Sequence, residues 1–398
     1  MGSVTAADVR TTRSSSPAVT SPVNSASARG RLPYLDVARG LCVLAVVLVH
    51  VGYFHVFPLA GDPTGRPVLK AWEVFNSAVL AEVRMPLLLI VSGWLAGSKI
   101  RAGLGSGKTR WAVLGNLHLV LVWTVIYALI ERLVAPGPAQ IATSRAESVP
   151  AMLGEMAYPT FGPLWFVYLL ALTTVVLCLV RRLPPALVLS ALLLIGWAVF
   201  WRTGDPAGLP RAVFFAVGFY VGPALPQLIG SRRILVGAGA ATLVLGLAAA
   251  VLSPLARYPV EAAACVPLSV LVLALTAWAT RTPALRAVTT PLAWVGRRTL
   301  GVYVLHWPLV GLLTVFAASH GADFALLRRN DVVDILYPLA LTLVIAATCV
   351  VAEILLRRAG LMILFEPPAV LRRLVEPRGR ADTTRVDATP TASPSARA

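Results

Sequence analysis

The hydrophobic pattern divides the chain into long apolar stretches that are separated by short polar or Pro- and Gly-rich breaks. A helix that crosses a membrane needs about 20 mostly apolar residues. Ten stretches meet this requirement, at about residues 35–57, 75–97, 111–134, 163–181, 184–201, 211–229, 234–252, 260–280, 299–319 and 332–356. The pattern therefore predicts an all-α polytopic membrane protein with about ten transmembrane helices.

Composition supports this fold class and excludes others. Of the 398 residues, 57 % are hydrophobic and 13 % are charged, whereas soluble domains carry about 25 % charged residues. The net charge of +17 could suggest a nucleic-acid partner, but the charges cluster in short loops between apolar stretches, so the lipid bilayer is the expected surrounding. All four cysteines lie inside apolar stretches without metal or redox spacing, so no metal site is predicted.

Basic residues predict the orientation in the membrane. With the N-terminus inside and ten spans, 25 of the 35 Lys and Arg residues fall in cytosolic segments and nine in outer loops. Because cytosolic loops carry the excess of basic residues, both termini are predicted in the cytosol. The chain then divides into a disordered cytosolic tail (1–32), a ten-helix membrane domain (33–360) and a basic, largely disordered cytosolic tail (361–398).

The first span carries two ionisable residues, Arg39 and His50, eleven positions apart. Eleven residues come within about 20° of three full α-helical turns, so both side chains lie on one face, about 16 Å apart along the axis. Ionisable groups inside a membrane are costly and usually face a protein interior or a wet cavity. The alternative is a purely structural role for both residues: Arg39 anchors the cytosolic end of the helix, and His50 is a buried polar group with a hydrogen-bond partner.

Three further residues are candidates for the same site. Arg84, in the second span, either reaches the membrane surface or shares an outer cavity with His50. His306, within the ninth span, either lines a site or bonds a neighbouring helix, and Trp165 at the start of the fourth span fits a lining residue or an interfacial anchor. Residues 102–109 loosely fit a phosphate-loop pattern, but they lie between two membrane spans, so nucleotide hydrolysis is not predicted.

Four segments stand out together: LDVARGLCVLAVVLVH, RMPLLLIVSGWLAG, GPLWFVYLLAL and GRRTLGVYVLHWPLV. In this order, over about residues 33–310, they resemble the motifs of acyltransferase family 3, a family of integral-membrane O-acyltransferases. The resemblance implies acyl transfer, commonly from cytosolic acyl-CoA, to a hydroxyl of a glycan, glycolipid or small metabolite. We therefore expect acyl-CoA as co-substrate, a short acyl group such as acetyl, no bound cofactor, and a bacterial plasma membrane. One departure is that KTRWAVLGNLH lacks the Arg-x-x-Arg pair that many members carry.

The resemblance maps the family's basic residue and histidine onto Arg39 and His50, and its acidic neighbour onto Asp36. Our hypothesis is that His50 acts as general base, because imidazole titrates near physiological pH. Arg39 would hold the donor's phosphates or its pantetheine arm, and Arg84 would stabilise the developing oxyanion. The candidates for lining the substrate site are Asp36, Trp165 and His306.

A carrier or flippase for a lipid or sugar is the alternative, with Arg39, Arg84 and His50 as residues of the pathway. Its sequence signs would be paired spans broken by Gly or Pro in two related repeats. No clear repeat is visible in the chain.

Overall fold

A computed structural model gives the fold of residues 32–60, 66–134, 163–320 and 331–375. The first half contains α1 (Pro33–Val51), α2 (Phe57–Ala60), α3 (Pro67–Val74), α4 (Leu80–Ala102), α5 (Gly107–Val134), α6 (Leu164–Val180) and α7 (Pro185–Thr203). The second half contains α8 (Ala212–Val221), α9 (Leu225–Gly230), α10 (Arg232–Val251), α11 (Pro254–Arg281), α12 (Arg286–Gly296), α13 (Thr299–Ser319), α14 (Asp331–Arg358) and α15 (Ala369–Val375). These ranges contain no strand.

The predicted membrane spans correspond to helices. Within the described ranges, nine helical segments are long and apolar enough to cross a membrane. The one remaining predicted span, the fourth in chain order, corresponds to α6. This helix has 17 residues, at the short end of the spanning range. The all-α polytopic fold class is confirmed, while the cytosolic placement of both termini stays a prediction. Most of the two predicted tails, residues 1–31 and 376–398, lies outside the described residues.

One predicted span is less regular than its apolar pattern suggests. The segment Leu209–Gly230 begins with a 3-10 turn and contains a second one at Gly222–Ala224, between α8 and α9. Proline stands inside both turns, as Pro210 and Pro223. Because proline lacks an N–H and crowds the preceding turn, it interrupts regular α-helical hydrogen bonding.

Helix α1 lies at the centre of the bundle. It packs against α4, α11, α12, α13 and α14, and most of its side chains are buried. By contrast, α7 and α10 expose large apolar side chains such as Trp201, Leu243 and Leu247. Exposed apolar side chains on long apolar helices are typical of a lipid-facing surface, so α1 forms the interior and α7 and α10 the periphery.

Helix α12 fixes the first turns of α1, and the apolar pattern gave no sign of it. The sequence predicts only a polar connection between residues 280 and 299, because an 11-residue amphipathic helix is too short and too polar to count as a span. At the crossing, a Cβ on Gly40 would overlap the Leu292 carbonyl, and one on Gly296 would overlap the Asp36 carbonyl. Two glycines therefore allow the backbones of α1 and α12 to touch.

Candidate active site

Helices α1 and α13 run side by side in the same direction and meet at two polar contacts. Arg39 Nη2 donates to Thr299 Oγ1 over 2.7 Å. Farther along both helices, His50 Nδ1 lies 2.8 Å from His306 Nε2. Arg39 and His50 therefore share one face of α1, as their eleven-residue spacing predicts, and the structure shows that this face meets α13.

The hydrogen bonds of the two histidines determine which nitrogen carries each proton. His306 Nδ1 lies 2.9 Å from the carbonyl oxygen of Val302, and because a carbonyl only accepts, Nδ1 donates. A neutral His306 then offers Nε2 as an acceptor, so His50 Nδ1 donates across the 2.8 Å contact. A neutral His50 is left with an unprotonated Nε2, whose lone pair can accept a proton.

Aromatic rings hold the His50 imidazole in place. Trp307 meets it edge-on with ring centroids 4.9 Å apart, and Phe54 lies 5.9 Å away. His306 is fully buried, whereas His50 is half-buried. The imidazole of His50 is therefore held by ring packing on one side, while part of its surface stays exposed.

A proline next to His306 is accommodated by a hydroxyl from α5. Pro308 has no N–H, so the carbonyl of Val304 lacks its usual partner in the helix. The Tyr127 hydroxyl donates to that carbonyl over 2.7 Å. This buried contact ties α5 to the turn of α13 that presents His306 and stabilises its position.

Arg84 lies near the histidine pair. Its Nη1 makes a long contact of 3.5 Å with the Asn76 carbonyl oxygen. It interacts electrostatically with His50, Glu82 and Arg211. Asn76 belongs to a π-helical segment, Phe75–Val79, and such segments are frequent at functional sites. Arg84 therefore lies within electrostatic range of His50.

Arg84 also lines a cavity of about 510 Å³ whose other walls are almost entirely apolar. On α1 the cavity is lined by Leu41, Ala45 and Leu48. Leu41 and His50 are nine residues apart, which places them about 180° around the helix from each other. The cavity therefore lies on the face of α1 opposite to the imidazole of His50.

Trp165 reaches the histidines only through intermediates. Its neighbour Phe166 packs on Tyr303 with centroids 5.2 Å apart, and Tyr303 packs on His306 at 5.9 Å. The Tyr303 hydroxyl also donates to the Pro163 carbonyl oxygen. Trp165 itself contacts Arg211, whose guanidinium carbon lies 5.8 Å from the ring centroid.

Arg211 also lies near the candidate site, although the sequence offers no reason to select it. The basic-residue count assigns it to an outer loop, where an arginine beside a span usually serves as an anchor. In the structure it is half-buried at the start of α8, within electrostatic range of Glu82 and Arg84. No local pattern distinguishes it from other arginines that flank spans.

Asp36 lies at the other end of the site. It is buried beside the crossing of α1 and α12, one turn from Arg39. Fourteen residues of helix separate it from His50, or about 21 Å. Asp36 can therefore support Arg39 but cannot touch a group bound at His50. Across the described ranges, no group of three His, Cys, Asp or Glu side chains is placed to hold a metal ion.

Comparison with known proteins identifies the family. A family model described as an acyltransferase domain matches residues 32–357, which include every candidate residue above. The chain belongs to acyltransferase family 3. This acyltransferase is an integral multi-pass membrane enzyme that acts on an acyl donor and an acceptor, which favours the enzyme over the carrier alternative. Searches of curated proteins and of solved structures find no match.

Proposed function

We propose that this acyltransferase moves a short acyl group from acyl-CoA to a hydroxyl of a glycan, glycolipid or small metabolite, with His50 as general base. The observation that carries the proposal is the hydrogen-bonded series Val302, His306 and His50. With both rings neutral, it leaves the lone pair on His50 Nε2, the form that a general base requires.

The reaction follows from that lone pair. His50 Nε2 takes the proton of the acceptor hydroxyl while its oxygen attacks the thioester carbonyl carbon. The tetrahedral intermediate then collapses, the C–S bond breaks, and the CoA sulfur takes the proton from the imidazolium. Throughout, His50 Nδ1–H keeps its bond to His306 Nε2, so the ring stays oriented and its positive charge has an acceptor nearby. The products are an ester and free CoA.

Arg39 is the proposed contact for the donor's phosphates or pantetheine arm. Its guanidinium is half-buried and bonded to Thr299, which fixes its direction at the start of α13. A planar guanidinium is suited to phosphate because it presents several N–H donors in one plane. The distance of about 16 Å to His50 along α1 requires an extended donor that reaches the base with its thioester.

Arg84 is the proposed stabiliser of the oxyanion. Its electrostatic interaction with His50 supports this role, because a positive charge close to the base can stabilise the carbonyl oxygen that becomes negative during attack. A preorganised charge in a site that excludes water lowers the energy of the tetrahedral state. Trp165 and Asp36, which the sequence analysis expects to line the substrate site, are proposed to act indirectly, Trp165 through its contact with Arg211 and Asp36 from its buried position one turn from Arg39.

Membrane vesicles that contain the full chain test this function. They are supplied in turn with radiolabelled acetyl-, propionyl-, butyryl- and palmitoyl-CoA, and label in the extracted lipid and glycan fractions is measured with the release of free CoA. We expect label and CoA release together for a short-chain donor. Absence of both, with every donor and with the protein present at normal level, would contradict the acyl-CoA proposal.

A further inference from the structure

Two arginines near the base have unfilled hydrogen-bonding capacity. Within the described part of the chain, the Arg211 guanidinium makes no hydrogen bond or ion pair, and the Arg84 guanidinium makes only the 3.5 Å contact to Asn76. Both side chains are half-buried. Helices α4 and α8 pack side by side, with Gly218 against Ile90 and Gly222 against Trp94, and this alignment puts Arg84 level with the start of α8, which Arg211 precedes. The two guanidinium groups repel each other electrostatically. Holding two such cations together is costly unless something supplies acceptors.

The nearby carboxylates do not supply those acceptors. Glu82 Oε2 accepts from the Cys265 thiol at 3.0 Å, and Asp205 Oδ1 accepts from the Ala207 amide. Both interact with Arg211 through space, but among the described residues neither forms an ion pair with either guanidinium. The two carboxylates reduce the local positive charge, but they do not accept hydrogen bonds from the N–H groups of either arginine.

The arginine pair is placed to hold a molecule beside the base. Arg84 lies within electrostatic range of His50, and Tyr303, which packs on His306, interacts with both arginines. Arg211 is supported on its other side by the ring of Trp165. A group bound between the guanidinia would therefore hold an attached hydroxyl near His50.

We propose that Arg84 and Arg211 form a binding site for an oxyanion of the acceptor, so that the acceptor carries a phosphate or carboxylate group as well as the reacting hydroxyl. Guanidinium groups pair with such planar or clustered oxygens through charge-assisted hydrogen bonds. This inference rests on the proposed function in one respect, namely that the molecule held there is the acceptor. The presence of the anion site itself does not depend on transfer.

The site is tested by thermal unfolding of the purified full-length protein in detergent, at constant ionic strength, both with and without saturating CoA. The probes are inorganic phosphate, glucose 6-phosphate and glucuronate, with glucose as the uncharged match. A ligand that binds only the folded state raises the melting temperature. We expect at least one oxyanion to raise it while glucose does not, and the arms separate phosphate from carboxylate recognition.

Substitutions show whether the effect belongs to the arginine pair. Arg211→Gln should weaken binding of the effective probe by about 10- to 150-fold, the usual cost of one charge-assisted contact, and Arg211→Lys should lose less because the charge remains. Arg202→Gln removes an exposed arginine and should bind like wild type. His50→Ala should also bind the probe, which separates failure of this site from failure of the transfer mechanism.

Four results would overturn the proposal. The first is that no oxyanion raises the melting temperature more than glucose does. The second is that the oxyanion raises the melting temperature of Arg211→Gln as much as that of the wild type. The third is a shift that appears only without CoA, because it would assign the anion to the donor site. A loss of melting temperature in Arg211→Gln without any probe would also count against it, because it would show that Arg211 serves the fold.

Discussion

His50 owes its proposed reactivity to His306, because the partner decides which nitrogen of the base carries a proton. His306 can accept at Nε2 only while its Nδ1 donates to the Val302 carbonyl. In the proposed mechanism, His306 is thus a positioning residue that acts through His50. The same logic makes the effect of His306 depend on hydrogen-bonding chemistry more than on size.

His306→Leu should lower kcat roughly 5- to 150-fold, because removing one buried hydrogen-bond partner costs about 1–3 kcal/mol. His306→Gln should retain more activity, since its amide oxygen can accept from His50 Nδ1. The measurement is acyl transfer in vesicles with matched amounts of protein. Adding His306→Leu to His50→Ala should cause no further loss, because the two rings act as a unit. Equal activity of the Leu and wild-type proteins would remove His306 from the mechanism.

Arg39→Ala should weaken the apparent affinity for the donor by roughly 10- to 150-fold, through loss of one charge-assisted contact. Arg39→Lys should recover part of the loss, because the charge remains while the planar fork is gone. Titration with acyl-CoA measures this, and Arg182→Ala, at an exposed arginine, is the control. A change in acceptor dependence instead of donor dependence would reject this role for Arg39.

Individual residues were predictable where helix geometry alone decides their position. The Arg39 and His50 spacing places both on one face of α1, and the structure shows both against α13. The bond between His50 and His306 joins residues 256 positions apart, and no periodicity within one helix reports such a contact. Arg211 was missed for the same reason, because only the packing of α8 brings it near Arg84.

At the scale of elements, hydropathy predicts the spans because each must match the thickness of the bilayer. The hydropathy pattern does not detect features that leave the mean hydropathy unchanged. It missed α12, and it missed the π-helical segments Gly52–Val56 and Phe75–Val79. These elements shape the site, since α12 fixes the Arg39 end of α1 and the second π-helical segment supplies the Asn76 carbonyl near Arg84.

The crossing of α4 and α8 provides a test of packing. A Cβ on Gly93 would overlap the Phe215 carbonyl of α8, and one on Gly218 would overlap the Ile90 carbonyl of α4. Gly93→Ala should therefore force the helices apart, at a cost of about 1–3 kcal/mol for overpacking, and lower the melting temperature in detergent.

Gly237→Ala is the matched control for this crossing, because a Cβ at Gly237 in α10 meets no atom within 4 Å. Alanine is favoured over glycine inside a helix, so this variant should melt at the wild-type temperature or above it. Equal melting temperatures for Gly93→Ala and wild type would show that the two helices can separate without cost.

At the scale of the whole molecule, the proposed reaction requires the Arg39 end of the site to face the cytosol, where acyl-CoA is found. Helices α1 and α13 run in the same direction, as the first and ninth of ten spans should. Together with the excess of basic residues, this predicts that reporter fusions after Arg110 and Arg380 lie in the cytosol and one near Gln140 lies outside. The reverse reporter pattern would put Arg39 on the side that cytosolic acyl-CoA cannot reach.

The most direct test of the mechanism compares two histidine variants of the full-length protein in nanodiscs. His50→Ala removes the proposed base, whereas His320→Ala removes an exposed histidine at the end of α13. With the donor that the wild-type protein uses, labelled acyl transfer to the extracted membrane fraction should fall by about 10²–10⁴-fold in His50→Ala, as expected for loss of a general base. His320→Ala should keep the wild-type rate. Transfer by folded His50→Ala at the wild-type rate would show that His50 is not the general base.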